Sequence, residues 1–360
     1  MRVSTHPIVR PSSFPPGAGP VWALRIVLSA LSLIAFVAVG CVGLRGDHGK
    51  LEVTYVDVGQ ADAIFANCPD GAHHLLIDSG DTRYPGSSAH FQGFLTSAFK
   101  GKPRRLDVVV ASHGHSDHLG SMFWVLTNFT VGTYIDNGDT SPESTLFGNL
   151  QKLRQRQTRE GKLRYISGKE SSFCDVDFCP RVRMRILVPW AVDPGLSDQN
   201  DRSVAVRLDC DKKSFLFVGD IEGEAESVML NRFSKEQRDL LHADVVKVGH
   251  HGSDTSSSPA FILAVSPEIA VVSVGKRDTG TNVGYKHPRL STLRSYADWF
   301  SRTATPLTNT PGQLSAYDAS TRTCRQQSCP KAMWLTVKDG TITVSTDGNI
   351  LAVDKVPTAD

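Results

Sequence analysis

Apolar and polar positions form short blocks along the chain that predict strands interleaved with helices. Residues 51–57 alternate, which predicts a strand, and residues 106–111 form a nearly continuous apolar run, as is usual for a buried strand. Helices are predicted over residues 118–128 and 145–160, where the apolar spacing lengthens. Because such blocks continue to the C-terminal part, residues 50–355 are predicted to form one layered α/β domain.

Two hairpins are predicted in the second half of the chain. Residues 203–209 and 214–218 are apolar runs joined through Cys210-Asp211. Residues 333–337 and 341–345 flank Asp339-Gly340, which is a common turn sequence.

The first 44 residues differ in character from the rest. Residues 1–25 are predicted to be irregular, since residues 11–20 are rich in Pro and Gly. Residues 26–44 carry no charge and suit a membrane anchor or the apolar core of a signal peptide. Ala38-Val39-Gly40-Cys41 is similar to a lipoprotein cleavage site, with an uncleaved anchor helix as the alternative. The basic residues lie on the N-terminal flank of this segment, which predicts that the residues after 45 lie outside the cytoplasm. We therefore expect a bacterial protein that is exported and anchored to the membrane.

Composition limits the partners of the chain. The 360 residues are 40% hydrophobic and 21% charged, as in globular proteins, and the formal net charge is +2. Such a balance excludes nucleic-acid binding by bulk charge alone. Residues 100–105 and 151–164 are local basic runs that could follow a phosphodiester backbone or simply form a solvated face.

Seven cysteines suit an exported protein. With Cys41 set aside, local disulfides are expected within Cys174/Cys179 and Cys324/Cys329, and Cys68 with Cys210 could form a third. A structural zinc site built from the two close pairs, or free buried thiols, are the alternatives.

Candidate metal ligands follow three predicted strands. Ser112-His113-Gly114-His115-Ser116-Asp117-His118 places three imidazoles and a carboxylate within six residues, a combination that suits zinc, manganese or iron. Gly219-Asp220 and His250-His251 end two further strands; alone, they could be a helix cap and a polar turn. Together the three segments predict a dinuclear metal site.

The motifs resemble the metallo-β-lactamase superfamily, and more closely the hydrolase domain of competence-channel proteins of the ComEC type. The resemblance covers residues 50–318. It implies an α/β fold, the four-layer αββα sandwich, with two metals at one edge. The motifs that carry it are the His cluster, Asp57-Val58-Gly59-Gln60, Leu76-Ile77-Asp78-Ser79-Gly80, Asn200-Asp201-x-Ser203, Val218-Gly219-Asp220, Lys247-Val248-Gly249-His250-His251-Gly252-Ser253, Ser273-Val274-Gly275 and His287-Pro288.

The resemblance also implies roles for individual residues. The metal ligands are His113 and His115 at the first metal, Asp117, His118 and His251 at the second, and Asp220 as the bridge. His250 would contact a substrate oxyanion, although which histidine of the pair binds metal stays open, and Asp78 would orient a ligand. Residues 197–203 contain no histidine where many members have one, so the first metal has an open position, an Asn or Asp ligand, or a weaker site.

These roles imply a metal-dependent hydrolase, foremost a phosphodiesterase or nuclease acting on DNA outside the cytoplasm. Two divalent metals, zinc or else manganese, would generate a bridging hydroxide, and no nucleotide cofactor is expected. The expected catalytic residues are Asp117, Asp220, His250 and His287. His287, with a near-neutral pKa, would donate to the leaving oxygen or bind phosphate; the alternative is an ordinary helix-start residue before Pro288. The alternatives are a lactam, lactone or ester hydrolase with an apolar pocket near Trp190 or Phe123-Trp124, and a non-catalytic envelope protein.

Overall fold

A computed structural model describes residues 49–140, 144–310 and 312–357. The predicted irregular N-terminal region, the anchor or signal segment 26–44 and the lipidation position Cys41 lie outside the described residues. Within those ranges, no helix has both the length and the apolar character needed to cross a membrane.

The described residues form strands in two large sheets and one small sheet, with helices between them. The strands are β1 (Leu51–Tyr55), β2 (Ile64–Asn67), β3 (His74–Ile77), β4 (Arg105–Val110), β5 (Thr130–Asp136), β6 (Arg164–Ser167), β7 (Phe173–Cys179), β8 (Val182–Leu187), β9 (Ala205–Cys210), β10 (Lys213–Phe217), β11 (Val245–Lys247), β12 (Ile269–Val272), β13 (Gln313–Asp318), β14 (Thr323–Ser328), β15 (Met333–Leu335), β16 (Thr341–Thr346) and β17 (Leu351–Val356). The helices are α1 (Ser87–Ala98), α2 (Ser116–Leu119), α3 (Met122–Asn128), α4 (Thr145–Arg159), α5 (Pro189–Val192), α6 (Gly223–Asn231), α7 (Lys235–Asp239), α8 (Pro259–Val265), α9 (Asn282–Tyr285), α10 (Leu290–Arg302) and α11 (Thr336–Asp339).

The strand order brings the chain segments of the site to one edge. The first sheet has the order β17-β16-β1-β2-β3-β4-β5-β6 and the second β15-β12-β11-β10-β9-β8-β7. Strands β3 to β6 run parallel, as do β10, β11, β12 and β15. The loops that follow β4, β10 and β11 therefore lie at the carboxyl edge, where α/β sheets usually bind ligands. The opposite side is called the amino edge below.

The two sheets pack face to face and helices cover their outer faces. In β4, Val108 and Val110 face the core between the sheets, whereas Leu106 and Val109 pack with the helices of the first sheet. A strand buried on both faces is apolar at most positions, which explains the nearly continuous run seen in the sequence. Leu293 of α10 packs on the second sheet. The predicted four-layer αββα arrangement is confirmed.

The hairpin prediction succeeded once and failed once. β9 and β10 form an antiparallel hairpin, as predicted. The predicted C-terminal hairpin is wrong, because β15 pairs with β12 in the second sheet and β16 pairs with β1 in the first. Helix α11 between them carries the chain from one sheet to the other. The predicted helix 118–128 is also divided into α2 and α3.

The disulfide predictions are wrong for the described cysteines. Cys68 is bonded to Cys179, with the Cα atoms 6.3 Å apart, whereas Cys174, Cys210, Cys324 and Cys329 are free thiols. Each predicted local pair spans five residues of extended chain, roughly 16 Å at strand geometry, which exceeds the reach of a disulfide. Because Cys68 follows β2 and Cys179 ends β7, the bond joins the two sheets at the amino edge.

Candidate metal centre

The loop after β4 is held by a carboxylate from the end of β3. The Ser112 backbone N–H donates to Asp78 Oδ1 at 2.8 Å, and Asp78 Oδ2 lies 2.8 Å from His118 Nδ1. This contact leaves His118 Nε2 directed away from Asp78 and towards Asp220. Asp78 thus contacts the ring nitrogen of His118 that faces away from Asp220, as an orienting carboxylate would.

His113 and His115 turn towards each other within this loop. His113 Nε2 lies 3.0 Å from His115 Nδ1. On its other side, His113 Nδ1 lies near the hydroxyls of Ser112 and Ser203, at 3.1 and 3.3 Å. The His113 side chain is buried and His115 is half-buried, so the pair has one ring in the interior and one at the surface.

Asp220 stands between the imidazoles that come from different strands. Its Oδ2 lies 3.2 Å from His118 Nε2 and 3.4 Å from His251 Nε2. The preceding Gly219 has φ +55°, and a Cβ there would lie 2.9 Å from Ser203 Oγ, so only glycine fits this close approach. Asp220 does not cap the next helix, because α6 begins at Gly223 with Glu222 at its N-cap.

The adjacent histidines His250 and His251 point in different directions. Both have left-handed backbone angles, with φ 45° and 52°, which is a strained conformation typical of functional sites. His251 is buried; its Nδ1 donates to the Ser273 carbonyl at 2.9 Å, so Nε2 faces Asp220 and also Asp117, at 3.6 Å. His250 Nδ1 instead lies 2.7 Å from Glu222 Oε1. The geometry favours His251 as the metal-facing member of the pair.

Asp62 and Lys247 form a buried ion pair that the sequence did not single out as part of the site. Asp62, His118, Asp220 and His251 place ligand atoms within 4.8 Å of one another. Lys247 Nζ lies 2.5 Å from Asp62 Oδ2 and 3.2 Å from Asp220 Oδ1, beneath the histidine pair. Lys247 therefore pairs with both carboxylates, and Asp62 belongs to the candidate ligand cluster together with Asp220. The only sequence signal was an Asp two residues after the Gly59-Gln60 turn.

The electrostatics of the site fit a bound cation. Burial alone would lower the pKa of His251, but the Asp220 and Asp62 carboxylates outweigh burial and raise it to about 10. Burial likewise opposes charging of His118, yet Asp220 and Asp78 raise its pKa well above the usual value. His251 Nε2 is buried, and its neighbours are the carboxylates of Asp220 at 3.4 Å and Asp117 at 3.6 Å. The carboxylates that raise both pKa values create a negative potential, and a divalent cation would neutralise it in place of the protons on the imidazoles.

His287 lies beside the cluster as a neutral imidazole. Burial, reinforced by His250 and His251, lowers its pKa to about 2, so the expected near-neutral pKa is wrong. Gln60 Nε2, an amide donor, lies 3.1 Å from His287 Nδ1. The proton of the neutral ring is therefore on Nε2. The buried Asn282 side chain holds the backbone of His287 from both its N–H and its carbonyl.

The site opens into a polar cleft of about 510 Å³. Its lining includes Arg83, His115, Asp117, Asn200, His250, Tyr285, His287 and Arg289. The aromatic residues proposed for an apolar pocket are elsewhere: Trp190 is buried under Lys169 and Arg202, and the Trp124 ring packs on Phe91.

The two basic runs lie away from the cleft. Residues 100–105 lead into the start of β4, and residues 151–164 cover the end of α4 and the start of β6, so both reach the amino edge. Arg154 belongs to the core, with its guanidinium over the Tyr165 ring and 3.7 Å from Asp136. Neither run is therefore placed to guide a phosphodiester into the cleft, and a solvated face accounts for them better.

Comparison with known proteins agrees with this architecture. The model of the metallo-beta-lactamase superfamily matches residues 56–276. ComE operon protein 3 of Bacillus subtilis is 30% identical over 257 residues, which cover 68% of this chain and 30% of that protein. Competence protein ComA of Neisseria gonorrhoeae is 30% identical over 243 residues, 67% of this chain and 29% of that protein.

Among solved structures, the metallo-beta-lactamase fold protein YhfI of Bacillus subtilis aligns over 66% of this chain and 91% of its own, with 10% identity and a TM-score of 0.39. The chain spans less than a third of the length of the competence relatives that it matches. The family match, in contrast, covers more than half of this chain. The chain therefore belongs to the metallo-beta-lactamase superfamily and is related to competence proteins of the ComEC type.

Proposed function

We propose that the chain is a metal-dependent phosphodiesterase that cleaves nucleic acid, with DNA as the first substrate to test, outside the cytoplasm. Membership of the superfamily implies metal-dependent hydrolysis in general. The observation that carries the finer proposal is the convergence of the His118 and His251 imidazoles on Asp220, in a cleft whose lining also includes Arg83 and Arg289.

The side chains divide into two candidate metal positions. His113 Nε2 and His115 Nδ1 would hold the first metal, while Asp117, His118 and His251 would hold the second. Asp220 lies beside His118 and His251 of the second group and would be the bridge to the first. Two divalent metals at such a site, zinc first and manganese as the alternative, would activate water and stabilise charge on phosphoryl oxygens.

The remaining residues of the cleft bind and orient the substrate. Arg83 and Arg289 line the cleft and supply positive charge for a phosphodiester. His250 is held by Glu222 through Nδ1, so its Nε2 remains available, 3.9 Å from Asp220 Oδ2. His287 donates from Nε2 as a neutral group, which suits a hydrogen bond to a phosphoryl oxygen better than proton transfer.

Two features support action outside the cytoplasm. The Cys68–Cys179 disulfide is typical of oxidising compartments. The uncharged segment 26–44 is of the kind that exports or anchors a chain. The relatives named for competence motivate DNA as the substrate, and only as a proposal for this chain.

The polar cleft favours a phosphodiester over a lactam or an ester. The purified chain should bind about two metals and hydrolyse bis(4-nitrophenyl) phosphate, but not a lactam chromogen. Chelation should stop hydrolysis, and Asp220→Ala should abolish it while lowering bound metal. Asp211→Ala, at an exposed turn of the amino edge, is the matched control and should change neither quantity. Absence of metal together with absence of hydrolysis would support a non-catalytic envelope protein.

A further inference from the structure

Two amide side chains beside the His113–His115 pair have buried oxygens that lack a hydrogen-bond donor. Gln199 Oε1 and Asn200 Oδ1 have no hydrogen-bond partner among the described residues, and both side chains are at most 7% exposed. Buried acceptors are almost always satisfied in folded proteins. Each of these oxygens therefore requires a water molecule or an ion.

The segment that carries them packs directly against the histidine loop. The Val204 N–H donates to the Ser112 carbonyl at 2.9 Å, and Ser203 Oγ lies 3.3 Å from His113 Nδ1. The Gln199 amide lies over Gly114, between the two histidines, where a Cβ would meet Gln199 Oε1 at 2.8 Å. This is the stretch, residues 197–203, that contains no histidine.

The orientation of the Asn200 amide is set by Glu222. Asn200 Nδ2 donates to Glu222 Oε1 at 3.2 Å. Because a carboxylate only accepts, the nitrogen must face Glu222 and the oxygen must face the other way. Asn200 lines the cleft together with His115 and Asp220, whereas Gln199 does not.

We propose that Asn200 Oδ1 is the third protein ligand of the first metal, beside His113 Nε2 and His115 Nδ1. The assignment rests on the proposed metal-dependent function. An amide carbonyl is a harder donor than imidazole and suits manganese better than it suits zinc. The first site should consequently bind zinc more weakly than the second and lose it first to a chelator.

Metal titration of the full chain tests this assignment without relying on activity. Metal-free protein is titrated with Zn²⁺ by calorimetry, and with Co²⁺ by visible absorption, which reports the coordination of each site. Wild type should bind two ions, one more weakly. Asn200→Ala should weaken that ion at least tenfold and leave the other unchanged, since loss of even a supporting group costs 10–100-fold. Asn200→His, which restores a nitrogen donor, should bind Zn²⁺ at least as tightly as wild type.

Gln199→Ala is the matched control, because it removes the neighbouring buried amide. Unchanged binding in Asn200→Ala would overturn the assignment, and a loss confined to Gln199→Ala would transfer the role to Gln199. Thermal unfolding of each metal-free variant separates a lost ligand from a lost fold, and Asn200→His tests the position should Asn200→Ala not fold. A wild-type chain that binds no metal would instead overturn the proposed function, and the ligand assignment with it.

Discussion

The Cys68–Cys179 disulfide should contribute a large share of the stability of the domain. It closes a loop with a sequence separation of 111 residues and ties the β2–β3 turn of the first sheet to the end of β7 in the second. The chain-entropy relation for a loop of this length gives about 4.8 kcal/mol at 25 °C, from restriction of the unfolded chain. Most natural domains have a total stability of only about 5–15 kcal/mol, so this loss is decisive.

Urea unfolding measures this contribution. Cys68→Ala, Cys179→Ala and the double variant should each lose about 4.8 kcal/mol relative to the oxidised wild type, plus a small packing term for buried Cys68. The double variant should lose little more than either single variant, because one substitution already breaks the bond. A reductant should lower the wild type to the level of the variants and leave the variants unchanged.

The control is Cys174→Ala, which removes a free thiol from the same strand as Cys179. It keeps the Cys68–Cys179 bond, so its stability should fall on addition of the reductant by the same amount as that of the wild type. Additive losses for the two single variants, or a wild type unaffected by reductant, would refute the bond. Peptide mapping that finds Cys174 joined to Cys179 would refute it directly.

Three further predictions concern the site. Lys247→Met should destabilise the metal-free protein by about 3–5 kcal/mol in urea unfolding, because it leaves the buried carboxylates without their cation. The control Lys213→Met removes a more exposed ion pair and should cost less. Equal losses in the two variants would contradict the importance of the buried pair. His287 has a folded pKa of about 2, far below its unfolded value, so its contribution to stability is full above pH 6.5 and is lost as pH falls. Between pH 8 and pH 5 the free energy of unfolding should drop by about 2 kcal/mol from this group, and His287→Gln should remove that part of the pH dependence. His250→Ala should retain more bound metal than His251→Ala in elemental analysis, and the reverse order would exchange their roles.

Much of the fold was predictable because its signals are local. The continuous apolar run of β4 predicted a strand buried on both faces, and the His cluster directly after it predicted metal binding. The C-terminal hairpin failed because Asp339-Gly340 has the local character of a turn, while pairing partners on β12 and β1 decide the path. Local disulfides failed similarly, since close spacing in sequence becomes a long distance in an extended strand.

Part of the candidate site was also predictable, because some of its signals are local in the sequence. Strand-end positions of Asp220 and His251 followed from apolar runs, and motif spacing distinguished them from ordinary turns. Asp62 was missed because its position two residues after the Gly59-Gln60 turn does not distinguish a ligand from an ordinary turn residue. It enters the site through Lys247, 185 positions away, and through His118. The near-neutral pKa assumed for His287 failed because burial cannot be read from an isolated His-Pro segment.

The sequence by itself determined the alternation of strands and helices, the strand-end position of the candidate ligands and membership of the superfamily. These properties depend on side-chain periodicity and short motifs, which a single stretch of chain contains. Tertiary structure alone decided which cysteines pair, that His251 lies closer to Asp220 than His250 does, and that the basic runs lie at the edge opposite the cleft. Each of these depends on distances between segments far apart in the chain, and such distances are set only when the two sheets pack together.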